Sequence, residues 1–137
     1  MTTMHLTSMI VLPIMLLFSS LAKAIMDTLR FNYYGSIFRN MGSIWWNPAE
    51  SWKNKWKNGN STLGEAFPGS STIFVSFTDG WHFFQHWFLL PLFFYPIAYS
   101  QCFPFIPWTY WYITDFLLFY AFFTFTFEMF YQLFKLK

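Results

Sequence analysis

Charge is what this sequence has least of. Across 137 residues, Lys and Arg total 8 and Asp and Glu 6, a charged share of 10%, against about 25% in soluble domains. A soluble fold of this length would have too little charge to cover its surface. Cysteine is almost missing too. Cys102 is the only one, which excludes an internal disulfide and a thiolate metal cluster. A net charge of +2 leaves no polybasic footprint, so no nucleic-acid partner is expected. What fills the chain instead is apolar: 55% hydrophobic residues, including 21 Phe, 8 Trp and 8 Tyr. Aromatic rings collect in bilayer cores and interfacial belts. The length allows one domain, and the composition is that of an integral membrane protein with the lipid bilayer as its first partner.

Residues 1–22 hold no Asp, Glu, Lys or Arg, and Leu6–Ala22 gives 17 residues, the short end of the range for a spanning helix. A first transmembrane helix is therefore expected within 1–25, with Pro13 tolerated. A rival reading is a signal segment, because Ala22-Lys23-Ala24 forms A-x-A behind the apolar core. Against it, the preceding residues hold no Lys or Arg, only His5.

Residues 26–70 form the one extended polar stretch. Asn47-Pro48-Ala49-Glu50 reads as an N-cap, a first-turn Pro and the acidic half of a capping box. A helix is expected over 48–58, closed by Gly59. Trp52 and Trp56 share one face of it, Trp45 and Trp46 precede it, and Lys53, Lys55 and Lys57 surround the rings. Trp beside Lys is how a short helix lies among lipid headgroups. The plainer alternative is a solvated helix with two buried Trp.

Two further spans are expected within 71–137. One lies between Ser71 and Tyr99 and has two parses: a tilted helix from Ser70 or Ser71, or a helix from Gly80 with Asp79 as N-cap and Ile73–Phe77 as a separate interfacial piece. Pro91 and Pro96 are expected to kink or end it. A short connector, 100–107, leads to Trp108–Phe134, with Trp108, Tyr110, Trp111 and Tyr112 as an aromatic belt at one end. The basic residues Arg30, Arg39, Lys53, Lys55, Lys57, Lys135 and Lys137 all fall in the long loop or the tail. Positive-inside orientation then places loop and C-terminus in the cytoplasm and the N-terminus outside. The Asn60-Ser61-Thr62 sequon has no meaning in a cytoplasmic loop. The expected fold is all-α: a three-span bundle with a short interfacial cytoplasmic helix.

Five ionisable groups fall in or beside the spans: Asp79, His82, His86, Asp115 and Glu128. Such groups are functional hypotheses by default. At roughly 100° per residue, Asp79, His82 and His86 share one helical face. Antiparallel packing would set Glu128 level with Asp79 and His82, and Asp115 nearer the outer side. Three uses compete. Polar residues pair across helix interfaces and hold a bundle together. Asp79, His82, His86 and Glu128 also have the ligand types for a transition metal, zinc or iron, although H-x-x-x-H alone is a weak signal. Finally, the same groups could pass protons or ions, with His titrating near neutrality. The first reading leads, since no complete catalytic set is present.

The ordered set Trp46-Asn47-Pro48, Ser51-Trp52-Lys53-Asn54-Lys55-Trp56-Lys57, Gly64-Glu65, Pro68-Gly69-Ser70-Ser71-Thr72 and Phe77-Thr78-Asp79-Gly80-Trp81-His82 resembles a group of small multi-pass membrane proteins of Bacteroidota-type bacteria. The resemblance covers roughly residues 36–90. It implies a bacterial cytoplasmic (inner) membrane location and no particular activity. His86 departs from the pattern, which weakens a two-histidine metal site. Function is expected to be that of an accessory or scaffold subunit, associating with other membrane subunits or with itself.

Overall fold

The structure, a computed structural model, describes residues 3–102 and 111–136. Among them it is helical with no strand, as expected for an all-α chain. Three long helices dominate: α1 (Thr3–Phe31), α4 (Gly80–Cys102) and α5 (Trp111–Phe134). Between α1 and α4 lie two single-turn helices, α2 (Ser43–Trp46) and α3 (Pro48–Ser51), and a series of 3-10 turns. Residues 103–110, which include most of the expected connector 100–107 and the belt residues Trp108 and Tyr110, lie outside the described residues.

α1 is the central element and packs against both α4 and α5. Its buried positions mix small side chains with the larger Leu12, Leu16, Ile25, Met26 and Leu29. Ser19, Ser20, Ala24 and Thr28 are fully buried and Ala22 nearly so. Small residues let helix backbones approach closely, and their hydroxyls serve as polar links across the crossing. Ser19 Oγ donates to the Phe88 carbonyl of α4 at 3.2 Å. From α5, the Thr126 hydroxyl donates to Ser20 Oγ at 2.8 Å, and Ser20 passes its own proton to Leu17 O at 2.9 Å. The stretch that reads as a cleavage pattern therefore has a packing reason for its small residues. α1 also runs on well past the expected loop start at residue 26. Lys23 and Asp27 neutralise each other one turn apart, at 2.5 Å, so two charges do not end the helix, and Arg30 sits favourably in its last turn.

The start of α4 follows the second parse. Asp79 precedes the helix and accepts from the His82 backbone N–H at 2.9 Å, an N-cap bond, while Val75–Phe77 forms a separate 3-10 turn. The helix runs through Pro91 and Pro96 to Cys102 instead of ending at them.

Three spanning helices were expected, and among the described residues two are long and apolar enough to cross a membrane. These are Ile10–Phe31, 22 residues with mean hydropathy 1.8, and Asp115–Phe134, 20 residues with mean hydropathy 1.3. α4 is long enough, but His82, Gln85, His86 and its Trp and Tyr rings dilute its apolar character. The two apolar helices differ in burial. Of the α1 span 44% is buried; of the α5 span, 6%.

Residues 32–79 fold into an ordered cap where α1 ends, α4 begins and α5 ends. Ile25, Leu29, Tyr33 and Phe38 form its buried centre, with Trp46, Trp81, Phe84 and Phe134 against it. Rings link the parts in sequence: Phe134 to Phe38 at 5.2 Å, Phe38 stacked on Trp46 at 5.0 Å, and Trp46 stacked near Phe84 at 6.0 Å. Gly80 lies under these indoles. A Cβ there would come within 3.1 Å of Trp45 Nε1 and 3.2 Å of Trp46 Cε3. The tail closes the cap: Leu136 N donates to Gly35 O at 2.7 Å, and Ser36 pairs with Lys135.

The single interfacial helix expected over 48–58 is broken. Asn47 caps as anticipated, accepting from Ala49 N at 3.0 Å, but Glu50 bonds Lys53 at 2.7 Å and does not complete a capping box. After α3 come 3-10 turns at Trp52–Lys55 and Lys57–Gly59, separated by an extended Trp56. Positive φ at Asn58 and Gly59 turns the chain back on itself. Lys57 N then donates to Gly64 O at 3.0 Å and Ala66 N to Lys55 O at 2.9 Å. This ladder, reinforced by pairing of Trp56 with Glu65, takes the backbone groups that a continuous helix would need.

The α1 crossing generates a direct test. Replacing Ala24, which has no exposed surface, by Leu forces the helices apart and costs about 1–3 kcal/mol. Ala24→Leu lowers the thermal unfolding midpoint in detergent, whereas Phe125→Leu on the exposed face of α5 leaves it unchanged.

Candidate polar site at the head of helix α4

Asp79, His82 and Lys55 form one connected polar group at the cap end of α4. Asp79 lies three residues before His82, the spacing at which a capping carboxylate faces the ring one turn on. His82 Nδ1 is 2.8 and 2.7 Å from the two Asp79 oxygens. The nitrogen facing a carboxylate carries the proton, which leaves Nε2 of a neutral ring as an acceptor. Lys55 Nζ stands 3.4 Å from Nε2 and is the donor to it. Trp81 meets the imidazole edge-on, with centroids 5.0 Å apart.

The backbone around Lys55 is held from several sides. Its carbonyl accepts from Ser70 Oγ at 2.7 Å as well as from Ala66 N. Next to it, the Asn54 side-chain amide donates to Ile44 O at 2.6 Å and to Thr78 O at 2.8 Å, tying three segments of the cap together. Glu65 organises the following turn, accepting from Gly69 N at 2.8 Å, from Ser71 N at 3.1 Å and from the Ser71 hydroxyl. The Ser71 hydroxyl, with the Gly69 and Ser71 amides, holds the Glu65 carboxyl below its ordinary range.

Asp79 is buried, with 4% of its side chain exposed, while His82 keeps 25%. Burial by itself would raise the Asp79 pKa. The ring and backbone N–H of His82, helped by the charge of Lys55, outweigh it and hold the carboxyl below its ordinary value of 3.8. An anchored carboxylate, an oriented imidazole and an amine at hydrogen-bond reach make a group that can accept and return a proton at His82 Nε2.

The other expected site residues are not brought together with this group. His86, one turn further along α4, is exposed. Glu128 is exposed on α5 and accepts from Gln132 Nε2. The reason is angular: Thr126 faces α1, and two residues further on is roughly 200° around the helix, which turns Glu128 outward. Asp115 is half-buried on α5. Among the described residues no three His, Cys, Asp or Glu side chains come together as metal ligands, so the set Asp79, His82, His86 and Glu128 proposed for zinc or iron is not assembled.

The interfacial residues also divide. Trp45 and Trp46 turn inward, against Gly80, Phe38, Phe83 and Phe84. Trp52 is exposed, its indole N–H donating to Ala49 O at 3.0 Å. Trp56 is half-buried, Lys53 is paired with Glu50, and Lys57 is exposed. Sequence reasoning missed Lys55 as a partner of His82, since no spacing rule links residues 27 apart across a loop.

Comparison with protein-family models, with curated proteins and with solved structures finds no match.

The carboxylate gives a signed pH dependence. Because its pKa is lowered in the folded state, Asp79 adds stability above the ordinary carboxylate value, and that stability is lost as pH falls through the folded-state pKa. Melting midpoints measured from about pH 6 down to pH 3 fall more steeply for the wild type than for Asp79→Asn, which retains a capping oxygen. Asp79→Ala, losing both cap and imidazole partner, is destabilised by about 1 kcal/mol or more at neutral pH.

Proposed function

We propose that this protein is a non-enzymatic integral membrane protein that serves as an accessory or scaffold subunit of an assembly in a bacterial cytoplasmic membrane. The observation that carries the reading is the outer face of α5. The core helix of a soluble protein is buried, and a signal sequence lies near the N-terminus; α5 is neither. Phe116, Leu117, Leu118, Phe125 and Leu133 are each more than half exposed, and only 6% of the span is buried. A contiguous apolar surface of this kind is stable when covered by lipid or by partner helices.

In this reading α4 is the third crossing, lying along α1 with its own exposed Leu90, Phe93 and Phe94. Arg30, Arg39, Lys53, Lys55, Lys57 and Lys135 belong to the cap and to the helix ends that meet there. The positive-inside tendency puts that end in the cytoplasm and the N-terminus outside. The resemblance of the 36–90 motifs to small membrane proteins of Bacteroidota-type bacteria supports the bacterial location. The absence of an assembled metal set among the described residues is why a structural role is preferred over a metal-dependent enzyme.

Two measurements test it. Extracted in mild detergent and examined by native mass spectrometry, the chain carries a co-purifying partner or a second copy; a strictly lone monomer overturns the subunit role. In a Cys102→Ser background, Ser61→Cys in intact cells is protected from a membrane-impermeant maleimide and reacts after lysis. Labelling of intact cells overturns the orientation.

A further inference from the structure

Lys55 is better organised than a solubilising loop lysine needs to be. Its backbone is fixed by Ser70 and Ala66, its neighbour Asn54 bridges Ile44 and Thr78, and its ammonium is aimed at one ring nitrogen. By contrast Lys53 is tied to a carboxylate, and Lys57 is exposed. An amine whose neighbour is a base, with that base oriented by a third group, is the arrangement by which side-chain nucleophiles are activated. Here the order is Lys55 Nζ, His82 Nε2 at 3.4 Å, and Asp79 on Nδ1 at 2.7 Å.

We propose that Lys55 is an acyl-acceptor site, a lysine that takes an acyl group from a thioester donor with His82 as its general base. The claim stands apart from the membrane reading, since the three groups lie in the cap and meet whether or not α5 faces lipid. An ammonium has no lone pair, so the first requirement is removal of a proton, which His82 Nε2 accepts; the Asp79 carboxylate stabilises the imidazolium that forms. The neutral amine then forms a C–N bond at the thioester carbonyl as the C–S bond breaks. Of the three protons that Lys55 starts with, one stays on the amide and one leaves on the thiol. The last passes through His82 to solvent, so charge and atoms balance with no redox partner. His82 keeps a quarter of its side chain exposed and Lys55 is half-buried, so a small donor reaches both.

The experiment uses the full chain in detergent and a small acetyl thioester at neutral pH. Acetylation of Lys55 and Lys57 is followed in the same sample by peptide mass spectrometry, so Lys57 corrects for donor concentration. General-base assistance is worth about 10²–10⁴-fold, and a long 3.4 Å contact captures part of it. Lys55 is expected to react about tenfold or more faster than Lys57. His82→Ala is expected to bring the two rates together, and added imidazole to restore the difference. A Lys55 rate no greater than that of Lys57, or one unchanged by His82→Ala, overturns the proposal. So does a loss that imidazole does not rescue, because that would trace to disturbed folding and not to a missing base.

Discussion

Close backbone approach at the small residues of α1 is the constraint on which the rest of the structure rests. Two long helices share a single central one, and each comes near enough to it for a direct hydrogen bond with a serine of α1. Ser19, Ser20, Ala22, Ala24 and Thr28 supply the space. The hydroxyls of Ser19 and Ser20 take part in directional bonds to α4 and α5. α4 and α5 also touch through rings, Phe88 with Phe123 and Tyr95 with Phe119, but the small residues of α1 decide how near they come. With α1 holding both, the large apolar side chains of α4 and α5 are left to point outward, which is the arrangement a lipid or partner-helix environment requires.

The cap answers a different problem, that of keeping nearly fifty residues with little regular structure in one conformation. It does so with a ladder of rings on the inside and side-chain-to-backbone bonds on the outside. Asp79 belongs to both tasks. It begins α4 by satisfying an otherwise open N–H, and it fixes the ring through which the Lys55 loop is held. A buried carboxylate is tolerable there because hydrogen bonds and an adjacent cation compensate for lost hydration. The outcome is a rigid polar cluster at the edge of an otherwise apolar molecule.

Much of this architecture was legible in the sequence where the signal was local. The apolar runs, Asn47 as a cap, and Asp79–Gly80 as one of two starts open to the next helix all depend on nearby residues. The failures are long-range. The 48–58 helix lost to hairpin-like pairing with residues 64–66, which propensity does not see. Glu128 was placed by depth along a helix, when its direction around the axis mattered more. The Trp pair at 45 and 46 looked like headgroup anchors because Trp beside Lys is ambiguous, and only the presence of Gly80 beneath them shows why two indoles are there. The Lys55–His82 contact needed the whole loop to be folded before it could be seen.

The pairing of residues 135–136 with 35–36 has a bearing on assembly order. It joins positions about a hundred residues apart, and loop closure on that scale comes late because its entropy must be offset by contacts already formed. Tyr33 and Phe38 therefore wait in an unfinished cap until the final helix arrives, bringing Phe134 to cover them. During synthesis, the aromatic centre of the cap stays uncovered on one side for the time taken to make everything after it. That is an interval in which a chaperone or a neighbouring subunit could occupy the place that α5 later fills.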